Sequence, residues 1–153
     1  MDVQVAVGDA ESEVDPHAQR DQRIFAIAGW CSIFAAVGIG LSYVLPWAYR
    51  TTSSGATLQY EVLKTRWFGL LLVGSAVWLL VAGVLILIRP FRPNLIMPMI
   101  PTMATGLAVA DIWTQLHPAG TTTGAGAVFC LVGIALGVIA TFLMIPTEHG
   151  TSQ

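Results

Sequence analysis

Four continuous apolar runs separated by short polar breaks fix the class of this chain: Ile24–Leu45, Trp67–Ile88, Leu95–Trp113 and Ala125–Ile145. Each is about the length, roughly twenty residues, that an α-helix needs to cross the hydrocarbon core of a bilayer. In hydrocarbon every backbone N–H and C=O needs a partner within the protein, so spanning segments are helices or closed barrels. Barrel strands alternate apolar and polar residues, and these runs do not. The sequence therefore predicts an all-α membrane protein, a four-transmembrane-helix bundle with short loops, over residues 24–146.

Composition agrees. Charged residues make up 10% of the chain and hydrophobic residues 55%, with a mean hydropathy of +0.71. A soluble domain carries about 25% charged residues, so most of this surface is suited to lipid. The net charge of −2 conceals an uneven distribution. Residues 1–23 hold Asp2, Asp9, Glu11, Glu13, Asp15 and Asp21 against Arg20 and Arg23. That segment reads as a disordered acidic cytoplasmic tail, and residues 147–153 as a short C-terminal tail. No basic run is present that could neutralise a line of phosphates, which argues against nucleic acid as a partner. The first apolar run is longer than the core of a cleavable signal peptide and follows an acidic segment, so a retained signal-anchor is expected.

The third run contains Pro98 and Pro101. Proline removes one rung of the helical hydrogen-bond ladder and crowds the carbonyl four residues earlier. The expectation is a Pro-kinked helix, or one whose regular part begins near Pro101, with a re-entrant segment as the lesser reading. Orientation follows from the basic residues flanking the spans. With the N-terminus inside, Arg20, Arg23, Arg89 and Arg92 face the cytoplasm, and Arg50, Lys64 and Arg66 face outward. This places both termini in the cytoplasm. Trp47, Trp67 and Trp113 then share the outer side, as an interfacial aromatic belt would.

The first outer loop, Ala48–Arg66, is the larger one. Leu58, Tyr60 and Val62 alternate as on a strand, while Glu61 and Lys64 have helical spacing; so short a stretch leaves both open. It is expected to lie on the membrane surface or on the second outer loop, Thr114–Gly124.

Helices associate in lipid where small residues let backbones approach. The first span repeats such residues at Ala28, Ser32, Ala36 and Gly40, and the fourth carries Gly133 and Gly137, followed by Thr141. The third offers Thr102, Gly106 and Ala110; the second has seven-residue spacing at Gly69, Ala76 and Gly83, the period of a left-handed seam. These faces serve internal helix packing or the docking of a membrane partner, and internal packing is the simpler reading. Trp30 and Trp78 fall well inside their spans, where an indole N–H needs an acceptor. They are expected to fill gaps beside small neighbours, with a lipid or quinone contact as the sharper alternative.

Chemistry is sparse. An ionisable residue inside a span is the default pointer to transport or proton relay, and Asp111, near the end of the third, is the sole candidate. Pairing with Arg50, Lys64 or Arg66 across the outer loops is expected. His17, His117 and His149 lie outside the runs, which argues against haem ligation within the bilayer. Cys31 and Cys130 lie at different depths and are expected to be free thiols. No metal, cofactor or catalytic constellation is indicated.

The Ala/Val/Gly-rich spans, the preference for Arg over Lys and the Leu45–Pro46–Trp47 exit resemble small four-span proteins of actinobacteria. That likeness is one of composition and assigns no residue a role. The expectation is a non-enzymatic, multi-pass protein of the plasma (inner) membrane. It would be an accessory or scaffold subunit docking onto a larger complex, such as a lipid transporter, secretion or respiratory assembly. Its partners would be membrane lipids and another integral membrane protein, or further copies of itself. The alternative is a small membrane carrier or lipid-handling protein that opens at the third span.

Overall fold

The computed structural model describes residues 16–51, 57–60, 66–88, 96–116 and 121–145. The elements run α1 (Pro16–Val44), β1 (Ala48–Thr51), β2 (Thr57–Tyr60), α2 (Arg66–Ile88), α3 (Ile96–Leu116), β3 (Thr121–Thr123) and α4 (Ala125–Leu143). The acidic tail before residue 16, Lys64, the Arg89–Arg92 turn, His117 and the tail from residue 146 lie outside the described residues.

The four helices fall on the four apolar runs, and α1 exceeds its run by the most. α1 begins at Pro16 rather than Ile24, which corrects the expectation of a disordered tail through residue 23. Proline favours the start of a helix because its missing N–H would have no partner there. The following Gln19, Arg20, Gln22 and Arg23 are good helix formers, and Gln19 and Arg20 are exposed. A polar helical stem therefore leads into the apolar part of α1.

Each helix packs on its sequence neighbour, and α4 returns to α1, so the order around the bundle is α1–α2–α3–α4. All neighbours are antiparallel. Gly29 meets Leu87 and Gly40 meets Ala76 across α1 and α2, while Gly38 meets Phe129 and Gly126 meets Leu45 across α1 and α4. Gly106 faces Ile134 across α3 and α4. The seven-residue seam of α2 lies on α1 along its length: Gly69 against Tyr43, Ala76 against Gly40, Gly83 against Gly29 and Ile33.

One core fills the middle and the strand end, around Ile39, Leu72, Leu79, Ala127 and Cys130. A smaller one, of Ala28, Ile86 and Met144 with Phe25 and Leu143 against it, closes the opposite end. Three helical segments, Gln19–Val44, Trp67–Ile88 and Ala125–Leu143, are long and apolar enough to cross a membrane. Their most apolar stretches are only 33–39% buried within the protein. In a water-soluble bundle the remaining face would be polar; here it presents Phe34, Leu70, Val77 and Phe142, each exposed by 57% or more. Apolar surroundings suit that face, as for a membrane protein.

The three strands form an antiparallel sheet in the order β2-β1-β3 at the end where α1 and α3 finish and α2 and α4 begin. β1 pairs with β2 in the register Ala48↔Tyr60 to Thr51↔Thr57, and with β3 from Ala48↔Thr123 to Arg50↔Thr121. Of the two conformations left open for the loop after α1, residues 57–60 take the strand. Its contact with the segment between α3 and α4 is made through β1, which pairs with β3. β3 consists of three consecutive β-branched threonines, residues with high strand preference.

Candidate functional site

Two places in the bundle gather side chains with specific partners. The first lies beneath the sheet. Trp47 is fully buried, and its Nε1 donates to the Ser42 carbonyl at 2.7 Å. Its ring stands edge-on to Phe68 with centroids 5.3 Å apart. Position next to an apolar run suggests a membrane belt for Trp47; the chain instead turns at Pro46 and folds the indole under the strands. Trp67 alone of that set is broadly exposed, at 84%, while Trp113 packs on the core.

The same corner holds the start of α4. Gly124 N–H donates to the Trp47 carbonyl at 2.7 Å, and Gly126 N–H to the Pro46 carbonyl at 2.9 Å. The first amides of a helix have no partner within it, and here the α1–β1 corner supplies acceptors. A β-carbon at Gly124 would run into Pro46 and the Trp47 backbone, which explains glycine where a polar side chain usually caps.

The second place is the seam between α2 and α3. Pro98 lies in the first turn of α3, where a missing N–H costs nothing, but Pro101 is interior. The amide absent at Pro101 is the one that would bond the Met97 carbonyl. Trp78, on α2, donates its Nε1–H to that carbonyl at 2.8 Å. Beside this contact an open groove of about 260 Å³ runs between Leu71, Gly74, Ser75 and Trp78 on one wall and Ile100, Pro101 and Ala104 on the other. A β-carbon at Gly74 would touch nothing within 4 Å.

Trp78 and Trp30 are each 53% exposed, which corrects the expectation that both fill internal gaps. Trp30 stacks at a tilt on Phe34 with centroids 6.1 Å apart, on the outer face of α1. Trp78 has the acceptor its indole needs, but lies at the groove rather than behind small residues.

The small-residue faces are occupied by the chain's own helices. Ala28 and Ser32 are fully buried, Ala36 nearly so, and a β-carbon at Gly40 would meet that of Ala76 at 3.9 Å. At Gly133 a β-carbon would fall 2.9 Å from the Ala35 carbonyl oxygen and 3.0 Å from the Ile39 amide. Gly137 sits against the Thr102 side chain. The hydroxyls on these faces bond back to their own helices: Ser32 to the Ala28 carbonyl at 3.0 Å, Thr102 to Pro98 at 2.6 Å and Thr141 to Gly137 at 2.8 Å. Thr105 is the exception; its hydroxyl is fully buried with no hydrogen-bond partner.

Of the electrostatic set, Asp111 is exposed towards the end of α3 and Arg50 is exposed on β1. Arg66 opens α2 at the same end of the bundle. Cys31 and Cys130 are free thiols, the second buried and the first only partly so. Among the described residues, no three His, Cys, Asp or Glu side chains converge. No protein-family model matches this chain, and neither a curated protein nor a solved structure does.

Proposed function

We propose that the chain is a four-span protein of the plasma (inner) membrane with both termini in the cytoplasm, acting as a non-enzymatic accessory or scaffold subunit. α3 has 21 residues, about 32 Å of helix at 1.5 Å per residue. It runs antiparallel between α2 and α4, both apolar enough to span, which supports a crossing for α3 as well. The excess of Arg20, Arg23, Arg89 and Arg92 over Arg50, Lys64 and Arg66 supports the orientation. Pro101 supports a kink in α3. Pairing of Asp111 with Arg50, Lys64 or Arg66 would tie the outer ends of α3, β1 and α2 together.

The observation that carries the docking role is the inequality of the seams. α1 closes on α2 and α4 through glycine contacts with backbone, whereas the α2–α3 seam leaves Gly74 facing open space. Membrane helices associate where small residues permit close approach. Gly74 is such a residue that meets no neighbour in the chain, Ala104 lines the groove opposite it, and the proposed occupant is an apolar helix of a larger membrane assembly. Photo-crosslinking groups placed at Gly74 and Ala104 in native membranes test this, with Val128 on α4 as control. A second polypeptide captured from the groove positions alone is the expected result. Capture of lipid only, at all three positions, would reject docking.

A second function is favoured by Pro101 and the apolar groove beside it: a small carrier or lipid-handling protein that opens at α3. Purified protein in liposomes would then move a lipid or small amphiphile, and Pro101→Ala or Asp111→Asn would abolish the flux. Absence of flux from the unaltered protein removes this reading.

A further inference from the structure

We propose that α3 is a two-state element hinged at Pro101, and that the Trp78 indole is the latch holding the state seen here. Three independent observations meet at this turn.

The first is the orphaned carbonyl. Pro101 has no amide to give Met97, and its ring pushes against that carbonyl. Left alone in an apolar environment, a carbonyl without a partner is costly. Trp78 supplies the missing donor from another helix at 2.8 Å. The hydrogen bond that ordinarily belongs to the ladder of α3 is thus held by α2. Breaking it does not require unwinding α3, only separation of Trp78 from Met97.

The second is free space. The groove opens at this contact, with Pro101, Ile100 and Ala104 on one wall and Gly74 among the residues opposite. Nothing lies within 4 Å of where a Gly74 side chain would begin. The turn from Ile100 to Ala104, around the hinge, therefore borders open space on its α2 side. The seams of α1 with α2 and with α4 are shut by contacts at Gly83 and Gly133.

The third is the idle hydroxyl of Thr105, buried and unpartnered. Its counterparts Ser32, Thr102 and Thr141 each bond the carbonyl four residues earlier. For Thr105 that carbonyl belongs to Pro101. Such back-bonding bends helices, so the bond Thr105 lacks here is one that forms as α3 bends at the hinge. The two states exchange one hydrogen bond for another: Trp78 to Met97 in the latched form, Thr105 to Pro101 in the bent form.

This inference stands on the fold alone and is independent of any docking partner. The test is a double-mutant cycle on the full chain in lipid nanodiscs, read by amide hydrogen exchange. Trp78→Phe keeps an aromatic ring and deletes the donor; Pro101→Ala restores the amide that Met97 lacks. Trp78→Phe alone is expected to speed exchange across residues 96–105 by on the order of tenfold, the factor one net hydrogen bond supplies. In the Pro101→Ala background the same change is expected to have little effect, because the amide restored at position 101 now serves Met97. Thr105→Val, in the Trp78→Phe background, should reverse part of the acceleration. Equal acceleration in both backgrounds, or none in either, overturns the latch. Should Trp78→Phe alone fail to fold, recovery by Pro101→Ala supports the coupling and failure to recover refutes it.

Discussion

Gly133 and Gly74 both lie in the middle of helices, and what surrounds each gives them opposite roles. At Gly133 an added methyl would press on the Ala35 carbonyl and the Ile39 amide, which are backbone atoms and cannot turn aside. Gly133→Ala is expected to destabilise the bundle by about 1–3 kcal/mol, the usual cost of overfilling a close contact. Gly74→Ala meets no neighbour, and should be neutral or stabilising by up to about 1 kcal/mol through reduced backbone freedom in the unfolded chain. Thermal unfolding in mild detergent, followed by tryptophan fluorescence, separates the two. Both glycines look alike in sequence, since the spacing of small residues marks possible contacts and not their partners. Trp47 shows the same limit. Its place after Pro46 suits an interfacial belt as well as a buried cap, and only the turn that brings the Gly124 amide onto its carbonyl and the Gly126 amide onto that of Pro46 decides.

At the scale of elements, the long apolar runs are easily read because burial in hydrocarbon leaves a helix few alternatives. The strands are harder. Leu58 and Tyr60 carry an alternating pattern too short to exclude a helix, and Thr121–Thr123 has no apolar face to betray it. These strands are specified by pairing partners distant in the chain, which local preference does not encode. Their register predicts a cross-link. Tyr49 and Thr122 are opposite one another, and directly opposed positions in antiparallel strands lie about 4.5–5.5 Å apart, within reach of a disulfide. Tyr49→Cys with Thr122→Cys should oxidise to an intrachain bond, seen as a mobility shift reversed by reductant. Tyr49→Cys with Thr123→Cys, one residue out of register, should react less completely. The extension of α1 back to Pro16 is hidden for a different reason: its polar residues carry helical propensity but no amphipathic period to flag it.

For the whole molecule, the antiparallel order places both ends of the helical region opposite the sheet. Thr51→Cys, exposed on β1, should react with a membrane-impermeant maleimide applied to intact cells, while cysteines added at either terminus should react only after the membrane is opened. Labelling of one terminus and not the other from outside would mean an odd number of crossings. The native thiols Cys31 and Cys130 sit within helices and should contribute little signal.

The link between β1 and β3 joins residues 73 positions apart, as in the contact of Thr122 with Tyr49. During synthesis the ribosome delivers β1 early and its neighbour only after three helices have emerged. Until then one edge of β1 has unpaired backbone groups, and α1 lacks the helix that covers Gly38. Completion of this protein is therefore a single late event, the arrival of α4 with the threonine strand ahead of it. A nascent chain halted before residue 121 would hold β1 paired along one edge only, with the Pro46 and Trp47 carbonyls still without the amides of Gly126 and Gly124.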